Sequence, residues 1–361
     1  MKKPATFVMA GGGTAGHVIP ALAVARELRA RGHSVRFIGT RRGIESKLVP
    51  AADFPIDWIE IGGLNRVGLR RMFTSLAELP VSIWQAARLL DRASPVTAIF
   101  SMGGYVAGPV LLAALWKRLP VVVMEPNAVP GFTHRGLARF VARALVSFEE
   151  TVRSFPAGRA EVTGRPVRDE FFAIAPKPRT DVLTVLITGG SQGSRTLNRA
   201  AEESWSLWEQ AGKKGWVRLI HQTGERAFAD LAPKFRASGM AGEISAFVDD
   251  MPRAFAEADL IVSRSGGTVS EIAAAGKPSI LVPLPTAADQ HQLRNAQAFE
   301  KAGAALLVLD SEMTGARLVE EVTRLSSTPG LLEKMGESAR ALARQGAAQR
   351  AADVLEGFIT D

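Results

Sequence analysis

A strand, a glycine loop and a helix follow one another twice in this chain, half a sequence apart. The first set is Thr6 to Ala10, then Gly11-Gly12-Gly13-Thr14-Ala15-Gly16-His17, then a helical stretch from Ile19 to Arg31 stopped by Gly32. The second is Val182 to Thr188, then Gly189-Gly190-Ser191-Gln192-Gly193-Ser194-Arg195, then another helix. Short apolar strands that alternate with helices across tight turns give parallel sheets, because parallel neighbours need a crossover connection. Two such starts predict two similarly wound domains rather than one domain with a tail. A length of 361 residues suits that number. The expected boundaries are 1–165 for an N-terminal domain and 166–340 for a C-terminal one. Pro176-Lys177-Pro178-Arg179-Thr180 reads as a linker, and the helical end, about 341–361, is expected to pack back on the first domain.

Two more glycine turns follow apolar runs: Ser101-Met102-Gly103-Gly104-Tyr105 after Val96 to Phe100, and Ser265-Gly266-Gly267 after Ala258 to Val262. In open α/β sheets ligands bind at the carboxyl ends of strands, so four such turns mark the functional edges. The stretch Ser263 to Asn295 is the most informative. Its glycines let a ligand approach the backbone, and the N–H groups that start the helix at Thr268 favour an anion. Glu271, one turn into that helix, suits the two hydroxyls of a ribose better than a phosphate. Asp289-Gln290-His291-Gln292 offers groups suited to sugar hydroxyls. Phosphate, ribose and sugar together spell a nucleotide-sugar; the plainer alternative is a βαβ unit whose glycines only make a tight turn.

Glycines 11, 13 and 16 also satisfy the dinucleotide pattern GxGxxG. The acidic residue expected at the end of the second strand is missing, and Gly39-Thr40-Arg41-Arg42 stands there instead. Those arginines would suit the phosphate of NADP, which keeps an NADP-dependent reductase as an alternative. A non-catalytic nucleotide-sugar binder is a third. The absence of cysteine excludes disulfides, thiolate metal sites and a cysteine nucleophile. A net charge of +8 allows anionic partners, but with a single tyrosine and no basic motif interleaved with aromatics, nucleic acid is not expected. The apolar run near the N-terminus, Ala5 to Ala10, runs straight into glycines and reads as a strand rather than a signal sequence. The longest apolar run, Val106 to Trp116, is shorter than the roughly 20 residues of a membrane span.

GGGTAGHVIPALAVARELRARGH, SMGGYVAGP, EPNAVPG, TGRPVR, GGSQGSRTLN, FVDDM and SGGTVSEIAAAGKPSILVPLP…DQHQLRNA, in that order along essentially the whole chain, resemble the MurG family. These enzymes add N-acetylglucosamine (GlcNAc) to lipid I in peptidoglycan synthesis. The resemblance implies a GT-B fold, two Rossmann-like parallel-sheet domains facing across a cleft, and an inverting glycosyltransferase. The donor UDP-GlcNAc would bind the C-terminal domain and the acceptor, lipid I, the N-terminal one. Another UDP-sugar-dependent transferase of the same fold is the nearest alternative. Residue by residue, the family's donor contacts fall on Thr14, Ala15, Gly16, Asn127, Arg168, Ser191, Val248, Gly266, Gly267, Thr268, Glu271 and Gln292. Val248 would act through its backbone, against the uracil edge. Acceptor contacts are expected from His17, Tyr105 and Glu125. The chain departs from the family in three places: Ser-Gly-Gly-Thr at 265–268 is one residue short, Ala15 replaces a common glycine, and His134 a common asparagine.

The implied reaction displaces UDP from the anomeric carbon by the C4 hydroxyl of the N-acetylmuramic acid (MurNAc) unit. Charge on the leaving group must be stabilised and a proton removed. Helix starts after 189–195 and 265–268, with Arg168, can meet the first need. No acidic DxD-like motif stands in a glycine turn, so neither metal nor cofactor is required by the sequence. For the base, His17 and Glu125 are rivals. A lipid acceptor without a membrane span implies a peripheral enzyme on the cytoplasmic face of the inner membrane, attracted to anionic lipid. Leu69, Met72, Phe73, Leu76, Leu79, Trp84 and Trp116 are its expected apolar face. Arg70, Arg71, Arg88, Lys117, Arg118, Arg135 and Arg139 would rim it. The resemblance also leaves room for cell-wall synthesis proteins as partners.

Overall fold

The computed structural model describes residues 3–61, 69–93, 95–178, 180–190 and 192–360, with 69–77 described by their backbone alone. The chain forms two compact units, Met1–Pro166 with Gly346–Asp361, and Val167–Gln345.

In the first unit the order is β1 (Thr6–Gly11), α1 (Ala15–Ala30), β2 (Ser34–Gly39), α2 (Glu45–Ala51), β3 (Ile56–Trp58), α3 (Leu69–Arg92), β4 (Ala98–Gly103) and α4 (Ala107–Trp116). Then come β5 (Val121–Glu125), α5 (Phe132–Leu137), β6 (Arg143–Val146), α6 (Glu149–Val152) and β7 (Ala160–Val162). The strands make one parallel sheet, order β3-β2-β1-β4-β5-β6-β7. Sequences such as Val121-Val122-Val123-Met124 are apolar on both faces because both faces are covered. One face packs with Ala86, Leu90, Val110, Leu111 and Val141. The other packs with Val18, Leu22, Ala25 and Leu28 of α1, and with Ala351, Ala352 and Leu355 from the chain's last helix.

The second unit repeats the scheme with α7 (Asp169–Phe172), β8 (Leu183–Thr188), α8 (Arg195–Gln210), β9 (Val217–Gln222), α9 (Glu225–Ser238), β10 (Gly242–Ser245) and α10 (Met251–Glu257). It continues through β11 (Leu260–Ser263), α11 (Thr268–Ala275), β12 (Ser279–Leu281), α12 (His291–Lys301), β13 (Ala305–Leu307), α13 (Gly315–Ser327) and α14 (Leu331–Leu342). Its parallel sheet has the order β10-β9-β8-β11-β12-β13. Helix α15 (Ala347–Glu356) returns to the first unit. There Arg31 meets Asp353 at 2.6 Å, His33 meets Glu356 at 2.9 Å, and Arg350 meets Glu161 at 2.7 Å.

In both sheets the order reverses beside a glycine turn. Gly11 pairs with Gly103 across β1 and β4, and Ser263 pairs with Thr188 across β11 and β8. The four glycine turns are therefore two adjacent pairs, each at a switch point.

Two local readings are corrected. Helix α1 begins at Ala15, not Ile19, and carries Pro20 inside it. Proline has no N–H for the carbonyl four residues back, which is why a proline reads as a helix start. Here the orphaned carbonyl, Gly16 O, accepts from Arg165 Nη2 at 3.1 Å. Secondly, the basic stretch from Arg135 to Arg143, which the sequence alone predicts as one helix, is divided: α5 stops at Leu137 and Arg143 already lies in β6.

Candidate active site

At the carboxyl edge of the first sheet His17 is half-buried. Its Nδ1 lies 3.2 Å from Gly12 O and 3.2 Å from Thr14 Oγ1. A carbonyl only accepts, so Nδ1 carries the hydrogen and Nε2 keeps a lone pair. Loss of water around the ring lowers its pKa from 6.5 to about 4, with Glu125 and the Gly12 bond opposing, and His134 and Arg165 adding to the fall. His17 is neutral at pH 7 and able to take a proton at Nε2. Thr14 occupies the N-cap of α1, and its carbonyl receives His17 N and Val18 N. Ala15 and Gly16 form the first helical turn, where N–H groups lack helical partners.

Glu125 is arranged differently. It is buried and accepts four hydrogen bonds: Asn127 N at 3.1 Å, Asn127 Nδ2 at 3.0 Å, Gly131 N at 3.0 Å and His134 Nδ1 at 2.9 Å. Burial would raise its pKa, but His134 and the two backbone donors hold it below the ordinary value. Four donors fill the roughly four lone-pair sites of a carboxylate. Glu125 thus braces the 125–134 loop, Asn127 has its amide nitrogen turned onto that brace, and His134 is a buried member of it.

Tyr105 lies with its ring over Gly13, where an added Cβ would stand 2.8 Å from Cε1. Its hydroxyl is 3.0 Å from Thr40 Oγ1. Behind both is Glu45, fully buried, which sequence reasoning missed. It accepts Gly13 N at 2.8 Å, Thr40 N at 3.1 Å and Thr40 Oγ1 at 2.8 Å. An acid does serve the first glycine loop, but from α2 and against the loop itself.

In the second unit the loop after β8 is held from within. Gly193, at φ +71°, sits so close to Thr223 O that no side chain fits. Ser194 caps α8, its Oγ accepting Leu197 N at 3.3 Å. Ser191 lies outside the described residues. Gln222, also missed, donates to Gly190 O at 2.8 Å and accepts Val248 N at 3.2 Å. Of the Val248 backbone, expected against the uracil edge, the N–H is therefore already engaged by Gln222 and the carbonyl is the remaining group. The signal for Gln222 was faint: a polar residue ending an apolar strand.

After β11, Gly266 and Gly267 lead into α11, with Gly267 at its N-cap. Thr268 opens the helix and half-buried Glu271 follows one turn in. Gln292, in the first turn of α12, reaches back so that Nε2 is 3.5 Å from a Cβ placed on Gly266. Its Oε1 accepts Leu284 N at 2.9 Å, so toward a ligand it presents N–H groups. Ser265 Oγ donates to Gln292 O at 2.7 Å, and Asn295 Nδ2 to Ser265 O at 3.0 Å. Arg264, also missed, ties the ends of β11, β12 and β13 through Val282 O at 3.0 Å and Asp310. Arg168 stands exposed at the N-cap of α7 with its guanidinium 5.1 Å over the Phe171 ring. A cleft of about 1070 Å³, lined by Leu183, Trp216, Asp259 and Lys277, opens at the amino ends of these strands, away from the glycine turns. No group of three or more potential metal ligands occurs among the described residues.

Residues 7–146 match the glycosyltransferase family 28 N-terminal domain, and 184–353 match its C-terminal domain. A curated relative from Solibacter usitatus (strain Ellin6076) is named UDP-N-acetylglucosamine--N-acetylmuramyl-(pentapeptide) pyrophosphoryl-undecaprenol N-acetylglucosamine transferase. It is 61% identical over 98% of this chain and 96% of its own length. A relative of the same name from Azotobacter vinelandii is 40% identical over 97% of this chain and 98% of its own. Among solved structures, Acinetobacter baumannii MurG matches with a TM-score of 0.81 and 32% identity, covering 98% of this chain and all of that one. A UDP-GlcNAc 2-epimerase from Neisseria meningitidis bound to UDP-GlcNAc shares the fold, with a TM-score of 0.65 and 16% identity over 97% of this chain and 99% of that one.

Proposed function

Since the chain belongs to glycosyltransferase family 28, we infer that it is a MurG-type transferase, moving GlcNAc from UDP-GlcNAc to lipid I, the pyrophosphoryl-undecaprenol-linked MurNAc-pentapeptide. The observation that carries this conclusion is the 61% identity, over nearly the full length of both chains, to a relative named for that reaction.

The chemistry assigned to the residues is as follows. The MurNAc C4 oxygen forms a bond to the anomeric carbon while the bond from that carbon to the UDP oxygen breaks, inverting the centre. UDP leaves with the electron pair, and the hydroxyl proton passes to Nε2 of His17. The N-termini of α8 and α11 favour the pyrophosphate charge. Glu271 would take the ribose hydroxyls, and Gln292 would donate to a sugar hydroxyl. The donor is assigned to the second unit and the acceptor to the first. The saturated Glu125 favours His17 as base. With leaving-group charge met by helix starts and Arg168, the reading asks for no metal or cofactor; UDP-GlcNAc is a substrate.

The test is UDP release from UDP-GlcNAc with a lipid I analogue, beside calorimetry with UDP, UDP-GlcNAc and NADPH. Acceptor-dependent UDP release and binding of both uridine ligands are expected. Binding of NADPH alone, or uridine binding without transfer, would refute it.

No helix among the described residues is long and apolar enough to cross a membrane. We place the enzyme at the cytoplasmic membrane face through its first unit. Trp84, Trp116, Phe132 and Phe140 are half or more exposed there. The Arg88 guanidinium lies 4.0 Å over the Trp84 ring, and Lys117 follows Trp116. Apolar rings beside cations suit an anionic lipid interface. The expected side chains of Leu69, Arg70, Arg71, Met72, Phe73 and Leu76 lie outside those described. Sedimentation with anionic vesicles should fall for Trp84→Ser/Trp116→Ser; variants that sediment like the parent would remove this surface.

A further inference from the structure

Three glycines surround the Glu45 carboxyl group. A Cβ on Gly12 would stand 2.5 Å from Oε1, one on Gly39 2.8 Å from Cγ, and one on Gly43 would overlap the carboxylate. The backbone of the first glycine loop and the end of β2 are thus built to admit this one side chain. Its three hydrogen bonds come from Gly13 N, Thr40 N and Thr40 Oγ1.

Those bonds have a direction. A carboxylate accepts only, so the single hydroxyl hydrogen of Thr40 points to Glu45. Thr40 Oγ1 then has lone pairs left for Tyr105, and the 3.0 Å contact must run from the tyrosine O–H to the threonine oxygen. With its only hydrogen directed inward, the phenol oxygen of Tyr105 shows the outside lone pairs alone. The ring cannot turn away freely, because it packs on Gly13 and belongs to the apolar layer that includes Val106 and Val110.

We propose that Glu45, acting through Thr40, is a positioning group that makes Tyr105 a hydrogen-bond acceptor toward a hydroxyl or amide N–H of the glycosyl acceptor. The proposal rests on the transferase reading for the identity of that ligand. Tyr105 lies beside the His17 loop, since a Cβ on Gly104 would stand 3.3 Å from His17 Nδ1. An acceptor-only phenol there selects a sugar hydroxyl that donates to it and rejects an oxyanion. Glu45 thereby determines which face of the acceptor can lie on this loop, without touching it.

Tyr105 is the sole tyrosine of the chain, so ¹³Cζ-tyrosine labelling of the full-length enzyme gives one resonance. That resonance should move on Thr40→Val and stay near its original position on Thr40→Ser. With UDP-GlcNAc and a lipid I analogue, Thr40→Val and Tyr105→Phe should each lower acceptor kcat/KM about tenfold, the worth of one hydrogen bond. The donor KM should not change. The double variant should be no worse than either single one, because both changes remove the same link. Thr40→Val that leaves both the resonance and acceptor kcat/KM unchanged overturns the proposal. So do losses that multiply in the double variant. If the resonance moves as expected while the unaltered enzyme transfers no sugar, the orienting chain stands and the transferase reading falls. Glu45→Gln serves as a further variant where thermal unfolding shows it folded.

Discussion

Acid should loosen the loop assigned to the donor pyrophosphate through one buried histidine. His221 on β9 is 1% exposed. Asn198 Nδ2 donates to Thr223 O at 2.9 Å, which turns Asn198 Oδ1 toward His221 Nε2 at 3.0 Å. His221 is therefore the Nε2–H tautomer. Its Nδ1 is buried with no hydrogen-bond partner, so a second proton would have nowhere to donate. Burial accordingly lowers the pKa from 6.5 to about 4. Between those values the opened chain binds a proton that the folded chain refuses. Stability from this group is complete above 6.5 and falls as the pH drops toward 4. At pH 5 the loss amounts to about 2 kcal/mol, roughly thirtyfold in the opening equilibrium. Global unfolding of two units is not a single transition, so the suitable assay is hydrogen exchange at the β8 and β9 amides, corrected for intrinsic rates. Protection in the unaltered protein should fall about thirtyfold more between pH 7.5 and pH 5 than in His221→Gln. Because Gly193 rests on Thr223 O, UDP affinity should weaken over the same range. Equal pH slopes in the two proteins would refute the reasoning, for they would mean that His221 finds a partner for its second proton.

The neutral His17 predicts an acid limb of kcat/KM that falls as the pH drops toward about 4, and Arg165→Ala, which removes a cation that lowers this pKa, should shift the limb upward. His17→Ala should cost about 10²–10⁴-fold in turnover, whereas Glu125→Gln should act first on thermal stability; near-normal turnover and pH profile in His17→Ala would exclude it as base. Glu271→Ala should weaken UDP and UDP-GlcNAc together, about tenfold to a hundredfold for a charge-assisted hydrogen bond, and unchanged UDP affinity by calorimetry would count against the ribose role. Gln292→Ala should harm UDP-GlcNAc turnover while UDP binding persists, because only its N–H groups remain for the sugar; equal weakening of both ligands would mark it as structural.

The sheets were legible because a strand covered on both faces is an uninterrupted apolar run, as in Val121 to Met124 or Leu260 to Val262. Helix boundaries were less so. The sequence alone starts the first helix at Ile19, a turn too late, because Pro20 fits a helix start better than a helix interior by local rules, and no local rule anticipates Arg165 donating to Gly16 O from far along the chain. The same limit hid Gln222, whose partners Gly190 and Val248 lie 32 and 26 residues away. Glu125 and Asn127 were found as residues but not as a closed set. The bonds of Glu125 to Gly131 and His134 cross a turn that contains Pro126 and Pro130. His134, noticed only as a departure from relatives, completes that set.

Glycine is where sequence reasoning goes furthest and then stops. It states that something approaches the backbone closely, and not what does. Around Gly12 the visitor is the Glu45 carboxylate, around Gly13 the Tyr105 ring, and around Gly104 the Gly12 carbonyl and the His17 ring. Around Gly193 and Gly224 it is the backbone of the neighbouring turn. At Gly266 the nearest group is the Gln292 amide at 3.5 Å, an ordinary contact that leaves the backbone itself approachable. The dinucleotide pattern of the first loop was therefore real as geometry and misleading as chemistry. The crowding at Gly12 and Gly13 is internal, and Glu45 occupies the side of the loop next to the end of β2. We assign the anion-binding capacity that the pattern suggested to the turn after β11, where Gly266 meets only the Gln292 amide at an ordinary distance before a helix start and Glu271 follows one turn in.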